Sequence, residues 1–268
     1  DFDGATKAAV TEFMRTVPYR LLCTATAAPN DFDELGTSSE ALGYLGYQDM
    51  LTKFFTKKIR GGFRRWSVPE YQLREYAKRD FWRWIVSFSR AVRKPSDVGF
   101  SDEGYELPKL ITREHSIVAS MTRPGQLFDT PACTPEEQRE ERKRTVKDRC
   151  EKVAELVCEH DMSVMWCNLN DEGKMLRQMV RGAEEVSGAD PDERKEEILS
   201  AFSNGQIKNL VTKPRIAGFG LNWQHCAHQT FFPDHSFEQY YQGVRRCWRF
   251  GQTRDVTVDI VTTEGSAG

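Results

Sequence analysis

The chain has no excess of either charge: 38 Lys and Arg stand against 40 Asp and Glu in 268 residues. No global field therefore selects nucleic acid or acidic substrates, and any anion-binding surface has to be local. No run approaches eighteen apolar residues, and the opening "DFDGATKAAV" has neither a basic nor an apolar leader region, which argues against membrane insertion and secretion. The seven cysteines, Cys23, Cys133, Cys150, Cys158, Cys167, Cys226 and Cys247, contain no C-x-x-C pair and follow no disulfide spacing. A reducing, cytoplasmic setting is expected. Internal repeats and low-complexity tracts are also missing. At this length the chain can bury a real core, as one large domain or two ordinary ones.

What is present divides into three segments: 1–52, 53–108 and 109–268. In the first, "VPYRLLCTATAAPND" reads as a short buried strand, Arg20 to Thr24, running into a turn marked by Pro29, Asn30 and Asp31. The second opens on an abrupt change of composition. Residues 53–94 hold thirteen Lys or Arg against three acids, with ten aromatics interleaved. "DFWRWIVSFSRAVRK" places Phe81, Trp84, Ile85 and Phe88 on one helical face with arginines around it. Cations interleaved with aromatics suit a surface that follows a phosphate backbone and releases its counterions; a plain solvated helix pair is the alternative. Arg64, Arg65, Arg83, Arg90, Arg93 and Lys94 are the candidate nucleic-acid contacts there.

From about Lys109, strand-like and helix-like stretches alternate. "LPKLITREHSIVA", "SVMWCN", "AEEVSG", "IKNLVT", "QTFFP" and "VTVDIVT" read as strands, separated by helical patterns that begin with one long charged helix from Thr134. Such alternation predicts an α/β fold with a parallel sheet covered by helices on both faces. Ligands of open α/β sheets gather beyond the carboxyl ends of the strands. Three stretches are expected there: "TATAAPN", "KPRIAGFGLNWQ" and "QGVRRCWRFGQ". In the second, Gly218 and Gly220 permit close backbone approach and Asn222 offers an amide. In the third, Arg246 and Arg249 are three residues apart on one helical face, and planar guanidinium forks suit phosphate oxygens. His225, Cys226, His228 and His235 invite a metal reading, but their spacing fits no familiar zinc pattern; packed or hydrogen-bonded histidines are expected, and no metal ligands are assigned.

Taken in order, these stretches resemble the motifs of helicase superfamily two, and within it the Swi/Snf-like DNA translocases of DEAD/DEAH-box type, particularly bacterial and phage members. "RLLCTATAAPNDFDEL" is similar to the third motif at Thr24, Ala25, Thr26, Asn30, Glu34 and Leu35, with Ala27 in place of the usual proline. "KPRIAGFGLNWQ" resembles the fifth at Gly218, Gly220, Leu221 and Asn222, with Lys213 and Pro214 where many members have Ser-Thr. "QGVRRCWRFGQ" resembles the sixth at Gln242, Arg246, Arg249, Gly251 and Gln252, and "VMWCN" fits the strand of the fourth. The phosphate-cradling G-x-x-x-x-G-K-[ST] loop is missing, and none of the four Asp-Glu pairs follows an apolar strand as a magnesium-holding box does.

The resemblance implies a second RecA-like lobe over 109–268, the tail of a first RecA-like lobe over 1–52, and a basic helical insertion between them. It implies ATP and Mg2+, held largely by an N-terminal lobe that precedes Asp1, with Arg246 and Arg249 as arginine fingers. Gln242, Gly251, Gln252, Gly218, Gly220 and Asn222 would belong to the ATP site. Thr24, Ala25 and Thr26 would couple that site to nucleic acid, with Lys213 among the backbone contacts. DNA, single- or double-stranded, is the implied partner. A non-catalytic nucleic-acid-binding module and a zinc-dependent binding protein remain as other readings.

Overall fold

The computed structural model describes residues 4–58, 70–118, 135–218, 220–234 and 236–263. Arg64, Arg65, Phe219, His235 and the helix-start residue Thr134 lie outside them. The chain separates into two compact units, 1–93 and 94–268. The sequence-derived segment 53–108 contributes to both.

In the first unit, three helices, α1 (Ala5–Arg15), α2 (Leu35–Leu42) and α3 (Tyr47–Phe54), lead into strands β1 (Phe55–Lys58) and β2 (Glu70–Leu73) and helix α4 (Lys78–Phe88). The two strands pair antiparallel, Phe55 opposite Leu73. The expected apolar face of α4 forms: Phe81 and Ile85 are buried against Met50, Leu51, Phe54 and Phe55, with Trp84 and Phe88 packed at the edge. Phe81 meets the rings of Phe54 and Phe55 at 5.5 and 5.6 Å between centroids. The strand expected over Arg20–Thr24 does not form; these residues are irregular, and Leu21 is 83% exposed. A strand needs a neighbour to take its backbone hydrogen bonds, and no described residue pairs with this stretch.

Among its described residues the second unit holds six strands: β3 (Leu110–Ile117), β4 (Ser163–Trp166), β5 (Ala183–Val186), β6 (Asn209–Thr212), β7 (His228–Phe231) and β8 (Val256–Thr263). They form one sheet in the order β3-β8-β7-β4-β6-β5, with every pair parallel. Between them run α5 (Pro135–Arg144), α6 (Val146–Val157), α7 (Asn170–Met179), α8 (Asp192–Ser203), the single turn α9 (Pro214–Ala217) and α10 (Phe237–Cys247). Alternate strand residues serve opposite faces. Val164, Trp166, Leu210 and Val258 pack against α8 and α10, whereas Met165, Val211 and Val261 pack against α6 and α7. This double burial explains why "SVMW" is a continuous apolar run rather than an alternating one.

The long charged helix expected from residue 134 is two helices. It breaks at Thr145, whose φ of −97° and ψ of 10° leave the helical region. Thr145 is 1% exposed, and its hydroxyl donates to the Glu141 carbonyl at 2.9 Å while accepting from Arg149 Nε at 3.2 Å. No helix among the described residues is long and apolar enough to cross a membrane.

Because Phe81 fills the centre of the first unit's core, Phe81→Ala should lower that unit's stability by about 3–5 kcal/mol. Urea unfolding followed by fluorescence and circular dichroism measures the loss.

Candidate functional site

Two polar regions lie at opposite ends of the sheet. At the amino-end side, α10 delivers its last turn beside the loop that precedes β7. Trp248 Nε1 donates to the Pro108 carbonyl just before β3, and Gln252 Nε2 to the Cys226 carbonyl just before β7. Arg246 and Arg249 therefore lie toward the amino ends of the strands, not beyond the carboxyl ends as the sequence motifs suggested. The reason is geometric: α10 starts after β7 and runs back along the sheet, so its C-terminal turn arrives where β8 begins.

There the two guanidinium groups converge. Nη1 of each donates to the Leu221 carbonyl, at 2.9 Å from Arg246 and 3.3 Å from Arg249. Arg246 is 9% exposed, and its remaining nitrogens donate to the Gln242 carbonyl at 3.0 Å and to Gln242 Oε1 at 3.2 Å. Burial, with Arg249 beside it, holds this guanidinium below the usual arginine range. Arg249 is half-buried, and Nη1 also donates to Asn222 Oδ1. The loop is tied to the helix by Trp223 N–H, which donates to the Arg246 carbonyl at 2.8 Å. Its glycines are required by shape: a Cβ on Gly218 would run into the Pro214 carbonyl, and Gly220 has a φ of +74°. Gly251, at φ +91°, turns the chain after Arg249.

At the carboxyl ends of β4, β6 and β7 lies a cleft of about 610 Å³. Among the described residues, Arg139, Arg142, Lys213 and Arg215 line it with Asn168, Gln239 and one carboxylate, Asp234. Lys213 Nζ donates to Asn170 Oδ1 at 2.6 Å, and Arg142 Nη1 stands 3.6 Å from Asp234 Oδ1. Among the described residues, four cations face one acid, so the lining is net positive. The sequence motifs named only Lys213 here. Arg139 and Arg142 belong to the long charged helix, Asn168 closes the fourth-motif stretch and Arg215 lies in the fifth, but none of these was singled out as a contact, and neither was Gln239.

The other candidates are dispersed. Thr24, Ala25 and Thr26 form a turn of the first unit in which Thr26 N–H donates to Thr24 Oγ1 at 3.1 Å. Arg83 is exposed and lies 3.9 Å from Asp80, and Arg90 folds back onto the Val86 and Ser89 carbonyls. Arg93 is exposed at the end of the first unit. Lys94, in the second, binds Asp102 at 2.8 Å.

His115 and His228 are hydrogen-bonded inside the sheet. Asp259, fully buried, accepts from His115 Nε2 at 2.8 Å and from His228 Nε2 at 2.9 Å, while Ser163 Oγ–H donates to His228 Nδ1 at 2.7 Å. Both His228 nitrogens are thus engaged, and this network sets its neutral tautomer. The His160 ring stacks on it at 3.7 Å and 11°; lone pairs in parallel planes do not converge on one ion. His225 packs on the Phe202 ring at 5.3 Å.

No protein-family model matches the sequence, and no curated protein matches it. Solved structures do. The C-terminal part of the Fun30 ATPase domain aligns over 49% of this chain and 44% of its own, at 15% identity and a TM-score of 0.39. A DEAD box protein from the hyperthermophile Methanococcus jannaschii aligns over 44% and 33%, at 16% identity and 0.39. The C-terminal domain of the DEAD-box protein Dbp5 aligns over 59% and 78%, at 12% identity and 0.41. The chain spans less than half the length of the first two.

Burial pushes His228 down to about 4, while His115 and His228 together outweigh the burial of Asp259 and hold its carboxyl below the usual range. At His228 the folded chain therefore binds fewer protons than the unfolded chain between about pH 4 and 6.5. The stability from His228 is present above pH 6.5 and is lost as pH falls toward 4, by on the order of 3 kcal/mol. A thermal-melt series from pH 7.5 to 4.5 should show this slope, and His228→Asn should flatten it.

Proposed function

We propose that this chain is part of an ATP-dependent nucleic-acid translocase of the Swi/Snf-like, bacterial or phage kind, with ATP and magnesium as its energy source and DNA as its track. The observation that carries the reading is the unequal commitment of two convergent arginines. Arg246 has all three nitrogens bound within the chain and acts as the internal brace of the 218–224 loop. Arg249 is less buried and, among the described residues, holds a carbonyl and an amide oxygen, which phosphate oxygens can replace with stronger, charge-assisted bonds.

In this reading Arg249 meets the γ-phosphate of a nucleotide seated mainly on another RecA-like lobe. It stabilises the charge that develops on the transferring phosphoryl group, an effect worth roughly 10³–10⁵ in rate, or about 4–7 kcal/mol of barrier. Arg246 and Gln242 keep the loop carrying Gly218, Gly220 and Asn222 in place, and Gly251 and Gln252 shape the turn behind Arg249. The phosphate-cradling loop and magnesium carboxylates would come from outside these 268 residues. Glu172, the acid of the Asp-Glu pair nearest the cleft, is only 1% exposed and bound to Arg149, so it is not available to magnesium. Magnesium, when bound, would neutralise charge on the nucleotide phosphates.

The cleft of Arg139, Arg142, Lys213 and Arg215 supports the nucleic-acid half of the reading. Cations spaced along a groove neutralise successive phosphates, and the affinity they confer falls steeply with salt. Thr24 and Ala25, exposed in a polar turn, and the half-buried Thr26 would link nucleotide state to that track, with Arg83, Arg90 and Arg93 as peripheral contacts.

In the full-length enzyme, Arg249→Ala should lower nucleic-acid-stimulated ATPase by about 10³-fold or more with nucleic-acid affinity little changed. Arg246→Ala should also lower the melting temperature. Normal turnover in Arg249→Ala would overturn the finger assignment and favour a non-catalytic binding module. For the cleft, Asp234→Asn should tighten binding to single-stranded DNA at low salt and steepen its salt dependence, read by fluorescence anisotropy.

A further inference from the structure

Beneath the cationic cleft sits a buried arginine that none of the sequence motifs contains. Arg149, on α6, is 4% exposed, and its guanidinium reaches three separate chain segments. Nη2 donates to the Arg142 carbonyl at 2.6 Å and Nε to Thr145 Oγ1 at 3.2 Å, which fixes the end of α5 at its break from α6. Nη1 lies 2.7 Å from Glu172 Oε1, and Glu172 is 1% exposed. The other oxygen of that carboxylate, Oε2, accepts from the backbone N–H groups of Asn168 and Leu169 at 2.8 and 2.9 Å, holding the turn after β4. The guanidinium also stacks 4.6 Å from the Phe232 ring, and the Phe232 carbonyl accepts from Asn168 Nδ2 at 2.8 Å.

We propose that Arg149, acting through Glu172, is the positioning residue of the cleft, setting Arg142 against Asn168 at the spacing that an anionic backbone requires. This deepens the nucleic-acid reading given above and rests on it. The chemistry favours the assignment over simple core support. Two buried charges bound to each other stabilise a fold less than a well-packed apolar pair of the same volume does, so the ion pair contributes more to geometry than to stability. A planar fork with five fixed donors is the one side chain able to hold a carbonyl, a hydroxyl and a carboxylate at once. Lysine in its place keeps the charge beside Glu172 and loses the fork.

The test uses the whole chain and a labelled thirty-nucleotide oligothymidylate, with affinity followed against salt by anisotropy. Each phosphate contact contributes about one unit to the slope of log K against log salt. Arg149→Lys is expected to lower that slope by about one. Arg142→Ala should do the same in the native background and add nothing to Arg149→Lys. A slope unchanged in Arg149→Lys, with Arg142→Ala still effective in it, would assign Arg149 a purely structural role even if the melting temperature drops.

A second arm does not depend on nucleic acid. Glu172→Gln should speed hydrogen exchange at the Asn168 and Leu169 amides by about tenfold while leaving the Val164 and Leu210 amides protected. Unchanged exchange overturns the proposal. Faster exchange in a chain whose native form does not bind the oligonucleotide retains the positioning role and removes the nucleic-acid reading instead. If Arg149→Lys fails to fold, Glu172→Gln carries both arms.

Discussion

Because helices cover both faces of the central strands β4, β6 and β7, a polar ligand can meet these strands only where they end and the connections turn. Val164, Trp166, Leu210 and Val258 on one side, and Met165, Val211 and Val261 on the other, leave no face for chemistry. The two most buried carboxylates are held by named partners, Asp259 by two imidazoles and Glu172 by two backbone amides at Oε2 and the Arg149 guanidinium 2.7 Å from Oε1. Function is thereby displaced to two rims. The amino-end rim gathers Arg246, Arg249, Leu221 and Asn222, and the carboxyl-end rim gathers the cations of the cleft.

The two rims differ in how their charges are held, and that difference separates their proposed roles. At the amino end, guanidinium groups are braced by backbone carbonyls at fixed distances, which suits a group that must meet one phosphate in one geometry. At the carboxyl end, Arg139 and Arg215 are exposed and Lys213 is bound, among the described residues, to Asn170, which fits the proposed role of following a backbone. Both rims belong to one rigid sheet, with β6 leading into the cleft and the loop after α9 leading to the arginines. A change in how Arg249 is engaged has a short covalent route, through residues 213–222, to the cation at the cleft wall.

Much of this was legible in the residues alone, because it depends on local pattern. Strands β3 to β8 and helices α7, α8 and α10 fall where apolar periodicity and turn signals placed them, the single turn α9 forms in a stretch that reads as a loop, and Phe81 and Ile85 face inward as their spacing requires. The failures share a cause. Arg20–Thr24 has the composition of a strand but no partner, and a strand is defined by its neighbour. The charged stretch after Pro135 has unbroken helical composition, yet it breaks at Thr145, because a hydroxyl bonded to Glu141, Arg149 and Thr263 competes with the helix.

The sequence by itself determined the alternation of elements, the double burial of the sheet, and the identity of the arginine pair and glycine loop, since each rests on residue type at short spacing. Only the tertiary structure decided that Arg246 is a brace while Arg249 stays more open, because that depends on a carbonyl 25 residues away. It alone assembled the cleft from α5, the β4 turn and the segment after β6, and placed Arg149 beneath them. Electrostatic roles depend on distance and burial, and for residues far apart in the chain these exist only once the sheet has brought the ends of its strands together.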